Sequence, residues 1–339
     1  MLKNLWKHLS ARRRKQFWLL LILMIVSSIL EVVSVGAVLP FLGILTAPEQ
    51  VYQHPLMQPL IQILEITEAN QLALPLTAAF IFAALLAGVV RLILLYTTTR
   101  ITFATGADLS IDIYRRTLYQ EYSVHISRNS SEVINGIIVK TSTVIGRVIS
   151  PFLNLISSTI LIVGIMAALF SINIAVALSA FVGFGLLYWG VVSYTKTQLN
   201  KNSQIIADQS TQMLKSLQEG LGGIRDVLID GSQKFYCKLY GSADLPLRRA
   251  SGDNQFISGS PRYIMEAIGM TLIAVLAYVI IQKESGISTA IPVLGALALG
   301  AQRLLPALQQ AYSSYSTIKS SKSSFQDVLD LLNQPLPSY

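Results

Sequence analysis

Six stretches of this chain are apolar and long enough to cross a lipid bilayer. A spanning helix needs about 20 mostly apolar residues, because every backbone hydrogen bond must close internally where there is no water. The stretches lie at 17–45, 74–99, 148–170, 172–192, 262–281 and 287–308. Only 13% of the 339 residues are charged and 52% are apolar, against roughly 25% charged in an ordinary soluble domain. Mean hydropathy is +0.54. The reading is an all-α membrane protein with six transmembrane helices. A soluble enzyme, a disordered tail and a nucleic-acid module are excluded.

The basic run Arg12-Arg13-Arg14-Lys15 before the first stretch resembles a signal peptide. A signal core, however, is only about 7–15 residues long, and this run continues well past that. It reads as a retained first span. The distribution of Lys and Arg then orients the chain. Residues 1–18 hold six, 46–72 none, 100–147 six, 193–262 nine, 282–286 one and 303–339 three. Basic-rich and basic-poor segments alternate, so the positive-inside rule places both termini and the two long loops in the cytoplasm of a cell-membrane protein.

Those inner loops are predicted to be helical. No proline occurs between Pro75 and Pro151, or between Pro151 and Pro246, and proline breaks helix interiors. Apolar residues recur there at helical spacing: Leu109, Ile113, Leu118 and Tyr122, then Ile206, Met213, Leu214, Leu217 and Leu221. Spans two to five therefore extend into the cytoplasm as stalks, and ~25 extra residues reach roughly 37 Å at about 1.5 Å each. The stalks reverse at two tips, about 122–131 and 221–240. A short helix is expected in the second, presenting Phe235 and Tyr236; the alternative is that these aromatics pack between the stalks. At the N-terminus Leu2, Leu5, Trp6 and Leu9 share one face, the pattern of an interfacial helix over residues 1–16. Outside, 56–66 carries Leu56, Leu60, Ile63 and Leu64 on one face. It reads either as a short external helix on the membrane surface or as a loop folded over the outer helix ends.

No phosphate-binding loop with its lysine, no nucleophile–base arrangement and no metal-ligand spacing occurs; His8, His54 and His125 are far apart and Cys237 is alone. This chain is expected to carry no catalytic site and no cofactor of its own. Charges inside the apolar stretches are the informative residues. Glu31, Arg91, Glu266 and Arg303 lie within them and Arg262 sits at the inner mouth of the fifth. Each charge costs at least about 2.5–3.5 kcal/mol at a helix centre unless paired or hydrated. Three readings are open: structural ion pairs, a wet cavity, or snorkelling to the surface. Three arginines against two glutamates cannot all be neutralised, which favours a cavity receiving an anionic group such as phosphate.

These features resemble the transmembrane domain of an ABC exporter. Three motifs sharpen the likeness to PglK-type lipid-linked oligosaccharide flippases: Glu31 to Phe41 in the first span, Pro261-Arg262 through Glu266 to Gly269 in the fifth, and Arg303-Leu304-Leu305-Pro306 with Ser313-Ser314-Tyr315 in the sixth. The resemblance implies transport of a polyprenyl-pyrophosphate glycan, with Arg91, Arg262 and Arg303, beside Glu31 and Glu266, at the anionic head. It assigns the lipid tail to the external segment. The tips, with Tyr122, His125, Phe235 and Tyr236, become coupling helices that dock on an ATPase domain, fused or separate, where ATP and Mg would bind. A second copy or homologous half would complete the transporter. Residues 17–318 form the membrane domain with its stalks, and 319–339 the stalk end and a linker towards the ATPase domain. Peptide export, and less favourably an ion-driven transporter using Glu31, are the alternative functions.

Overall fold

The computed structural model describes residues 2–46, 48–63, 66–127, 130–172, 174–282 and 287–335. Every regular element among them is helical. Helix α1 (Leu2–His8) is short and meets α2 (Ala11–Gly36) at a sharp corner. Ser10 makes that corner: its hydroxyl accepts from the Arg13 amide at 3.3 Å, satisfying one of the unpaired donors at a helix start. Arg13 clamps the same corner to the neighbouring stalk by bonding both Asp108 carboxylate oxygens, at 2.7 and 3.3 Å.

The expected span 17–45 is interrupted at Ala37, so α2 is followed by α3 (Val38–Thr46). In the connection to the next long helix, Pro48–Tyr52 and Gln58–Ile63 are short helices. Ile61 and Ile66 bury against Ile44, Leu72 and Leu76, and the Tyr52 hydroxyl donates to the Ile66 carbonyl at 3.2 Å. The outer segment is thus partly helical and also folded over helix ends. Ile63 points outward at 80% exposure. Leu64 lies outside the described residues.

Helix α4 (Ala73–Leu118) runs unbroken through membrane and stalk. A first tip follows as α5 (Tyr122–Ser127). The return helix covers 130–172 but is not uniform. Two π-helical turns, Gly136–Lys140 and Ile145–Ile149, precede the regular α6 (Ser150–Ile172). Each holds an extra residue within a turn and so rotates the side chains beyond it.

Helices α7 (Ile174–Gly222) and α9 (Gln233–Gln282) form the second stalk, joined by α8 (Ile224–Ile229). Gly231 makes the reversal at φ +64°, a backbone conformation glycine adopts without strain. Helix α9 passes straight through Pro246 and Pro261, so proline does not end the helix there. Helix α10 (Ile287–Ser320) ends at Ser321 and the chain turns into α11 (Lys322–Leu332).

Among the described residues three helical segments are long and apolar enough to cross a membrane: Ala11–Leu45, Ala73–Leu118 and Val133–Ala168. The expected stretches 172–192, 262–281 and 287–308 fall on α7, α9 and α10. Large apolar side chains on α4, among them Phe82, Leu85, Leu92 and Leu95, are more than 60% exposed. In water such a surface would be costly; against lipid it is not.

The largest buried apolar cluster forms where α11 packs against both arms of the first stalk. Phe325, Val328, Leu329 and Leu332 fall at i, i+3, i+4 and i+7 and are buried with Leu109, Ile113, Val144 and Val148. The sequence places 319–339 at the end of a stalk and in a linker; in the structure α11 packs on both arms of the first stalk and also meets α7, where the Ser323 amide donates to the Ser203 hydroxyl at 2.9 Å. Its amphipathic stripe is the physical reason, since leaving those four side chains in water would forfeit their burial.

Candidate functional site

Three helices bring charged side chains to one point inside the bundle. Glu31 comes from α2, Arg91 from α4 and Arg303 from α10. One carboxylate oxygen of Glu31, Oε1, accepts from Arg91 Nη1 at 3.3 Å and from Arg303 Nη1 at 3.1 Å. The Glu31 side chain is 12% exposed, whereas Arg91 and Arg303 are 60% and 46% exposed. The acid is shielded behind two guanidiniums that remain open, and the trio carries a net charge of +1. Each guanidinium has five N–H donors and gives one to Glu31, so donors remain on both.

Close packing fixes the acid's position. Helix α6 approaches α2 at Gly164, where a Cβ would stand 3.0 Å from Val32 and 3.2 Å from the Ser28 hydroxyl. That approach brings α6 beside Glu31. On the other side, Leu304 packs with Ile165, Met166 and Met265, which holds the α10 turn bearing Arg303.

Two of the three, Glu31 and Arg91, open on a cavity of about 320 Å³, whose lining also includes Thr98, Asn154, Ser158 and Gln310. A second, more open hollow of about 360 Å³ shares Asn154 and Gln310 and continues along Gln309, Ser313 and Ser314. Amides and hydroxyls therefore run on from the charged trio. They escape a search for ionisable residues; the available signal is uncharged polar side chains inside otherwise apolar stretches, Asn154 above all.

Arg262 and Glu266 on α9 stand apart from the trio. Both are exposed and neither makes an ion pair or side-chain hydrogen bond among the described residues. Arg91 and Arg303 reach Glu31, and Arg262 does not.

At the tips, Tyr122 and His125 lie on α5 and are exposed, Tyr122 at 79%. Phe235 and Tyr236 are not on the short α8 but in the first turn of α9. Phe235 is exposed, while the Tyr236 ring lies against Gly220 of α7, packed between the stalk helices.

Residues 16–294 match the sequence profile of the ABC transporter transmembrane region. The chain belongs to that family. It is therefore the membrane part of an ABC transporter, embedded in a bilayer and working with an ABC ATPase partner. The match runs from within α2 through α9 and reaches into α10, so both tips, Glu31 and Arg91 fall within it. Arg303 and α11 lie beyond its end.

Proposed function

We propose that this chain is one half of a dimeric, ATP-driven exporter or flippase and that it moves an anionic amphipath, a lipid-linked glycan. Six spans with both termini in the cytoplasm fit the alternation of basic and apolar segments. The observation that carries the substrate reading is the single Glu31 carboxylate shared by two exposed arginines, with Glu31 and Arg91 on the wall of a cavity that presents Asn154, Ser158 and Gln310 among apolar side chains. A phosphate or pyrophosphate accepts several N–H donors at once in the fork geometry of guanidinium. Asn154, Gln310 and Ser314 present donors and acceptors suited to sugar hydroxyls. ATP binding on the partner domains would draw the tips together, and the long helices would transmit that motion to the cavity.

The test is ATPase activity in lipid vesicles, with the chain joined to or mixed with its ATPase domain. Polyprenyl-pyrophosphate glycan is expected to stimulate turnover, and Arg303→Ala to abolish the stimulation while basal turnover persists. Stimulation by peptide instead would keep the exporter and replace the substrate. Failure of every ATPase domain to bind the tips would favour an ion-driven transporter.

A further inference from the structure

One oxygen atom governs how the two converging arginines can be used. Glu31 Oε1 lies 3.3 Å from Arg91 Nη1 and 3.1 Å from Arg303 Nη1, and the two nitrogens come from different helices. Glu31 and Arg91 line the cavity of about 320 Å³, whereas Arg303 is not part of that wall. The place that both arginines reach at the cavity is therefore the place where the Glu31 carboxylate already stands. Among the described residues the Glu31 side chain makes no hydrogen bond or ion pair other than these two.

The acid is fixed and the arginines are free to turn. Glu31 is 12% exposed, on a stretch of α2 that Gly164 of α6 approaches at Ser28 and Val32. The guanidiniums, 60% and 46% exposed on long flexible stems, can change acceptors without moving a helix. A cation within an apolar stretch needs a counter-charge or water. Carboxylate and phosphate present similar paired oxygens to the guanidinium fork. Glu31 and an anionic head group are thus alternative partners for the same donors.

We infer, on the reading that this cavity receives an anionic head group, that Glu31 is an internal competitor of the substrate. In the empty cavity it takes one donor from each arginine and compensates both charges in part. An arriving phosphate takes those donors and leaves the carboxylate beside it as a like charge. Glu31 thereby weakens binding, so that two arginines can capture a cargo and still release it. This role is opposite in sign to positioning: an acid that only oriented the arginines would strengthen binding.

The experiment titrates inorganic pyrophosphate into the 339-residue chain in phosphatidylcholine nanodiscs and reads binding by calorimetry. Glu31→Gln keeps the side-chain shape and removes the charge. It is expected to bind about tenfold more tightly than the unaltered chain, the scale of removing one like charge a few ångströms from a partly exposed site. The gain should shrink as salt is raised. Glu31→Asp keeps the charge but draws it back by one methylene, so it should tighten binding less; if Glu31→Gln does not fold, Glu31→Asp decides by the same sign. Arg303→Ala should weaken binding. Circular dichroism checks that the variants remain helical. Weaker or unchanged binding in the Glu31 variants, with binding that still depends on Arg303, overturns the competition and leaves the arginine site standing. No binding by any form, Glu31→Gln included, overturns the arginine site itself and the competition with it.

Discussion

The two stalks are built from the same material and held together by different physics. In the first, α4 and the 130–172 helix close around α11 on an apolar core that contains Leu109, Ile113, Val144, Phe325 and Leu329, all buried. Polar contacts only pin its edges: Lys140 Nζ to Asp327 at 2.6 Å and Arg116 to the Gln334 carbonyl at 2.9 Å. In the second, buried side chains such as Leu199 and Ala250 are joined by side-chain hydrogen bonds that link α7, α9 and α10. Asn202 donates to Asn254 at 2.8 Å, the Ser258 and Ser316 hydroxyls lie 3.0 Å apart, and Tyr312 donates to the Ile257 carbonyl at 3.2 Å. Burial pushes the Tyr312 hydroxyl's pKa up, which keeps it a donor. An apolar core resists separation but is indifferent to direction. A polar seam is directional and fails locally when one partner is lost. The first stalk is thus a braced unit, and the second a hairpin whose register depends on a few bonds.

The largest way to break this contrast is Phe325→Ala. Truncating a buried aromatic typically costs about 3–5 kcal/mol, so the first stalk should loosen. Proteolysis near residues 319–335 should rise sharply while cleavage at 221–240 stays unchanged. If both regions become equally sensitive, the stalks are one cooperative unit. Asn202→Ala should cost about 1–3 kcal/mol, because it leaves the Asn254 carbonyl oxygen buried without its donor. The double change Asn202→Leu with Asn254→Leu should recover most of that loss, since removing both partners is close to neutral. Thermal unfolding of the detergent-solubilised chain reads both, and equal losses in the single and double variants would mean the seam is held by packing instead.

Two glycines sharpen the comparison at smaller scale. A Cβ at Gly136 in the first stalk would stand 2.6 Å from Leu331 of α11, and overpacking of this kind costs about 1–3 kcal/mol. Gly136→Ala should therefore lower the unfolding temperature visibly. A Cβ at Gly220 in the second stalk would stand 3.3 Å from the Tyr236 ring. There the gain of up to about 1 kcal/mol in helix propensity offsets the crowding, so Gly220→Ala should leave the unfolding temperature almost unmoved. A drop as large as that of Gly136→Ala would show the second tip to be as tightly packed as the first stalk.

Much of this architecture is legible in residue spacing. The stalk helices, a tip within 122–131, a second within 221–240 and the amphipathic α1 all follow from periodicity and turn residues. Proline is a weaker guide: Pro246 and Pro261 sit inside an unbroken α9, where lost backbone bonds are outweighed by packing on both neighbours. The stripe in 325–332 is visible in the sequence, but nothing local says whether it continues a stalk or turns back to pack against one. Ser321 and the apolar face awaiting it on the first stalk decide that.

The same division runs through the candidate site. By itself the sequence determined that this is a helical membrane chain and that Glu31, Arg91, Arg262, Glu266 and Arg303 are the costly charges in or beside its apolar stretches. Those are properties of single segments, set by composition and by transfer energies along one helix. Only the tertiary structure decided that Glu31 serves two arginines, 60 and 272 residues away along the chain. It also decided that Arg262 and Glu266 stand aside, and that Tyr236 packs while Phe235 is exposed. Each of those outcomes depends on how a helix is rotated about its axis and how far it slides past its neighbours. Contacts such as Gly164 against Ser28 set that rotation, and they exist only once the helices have met.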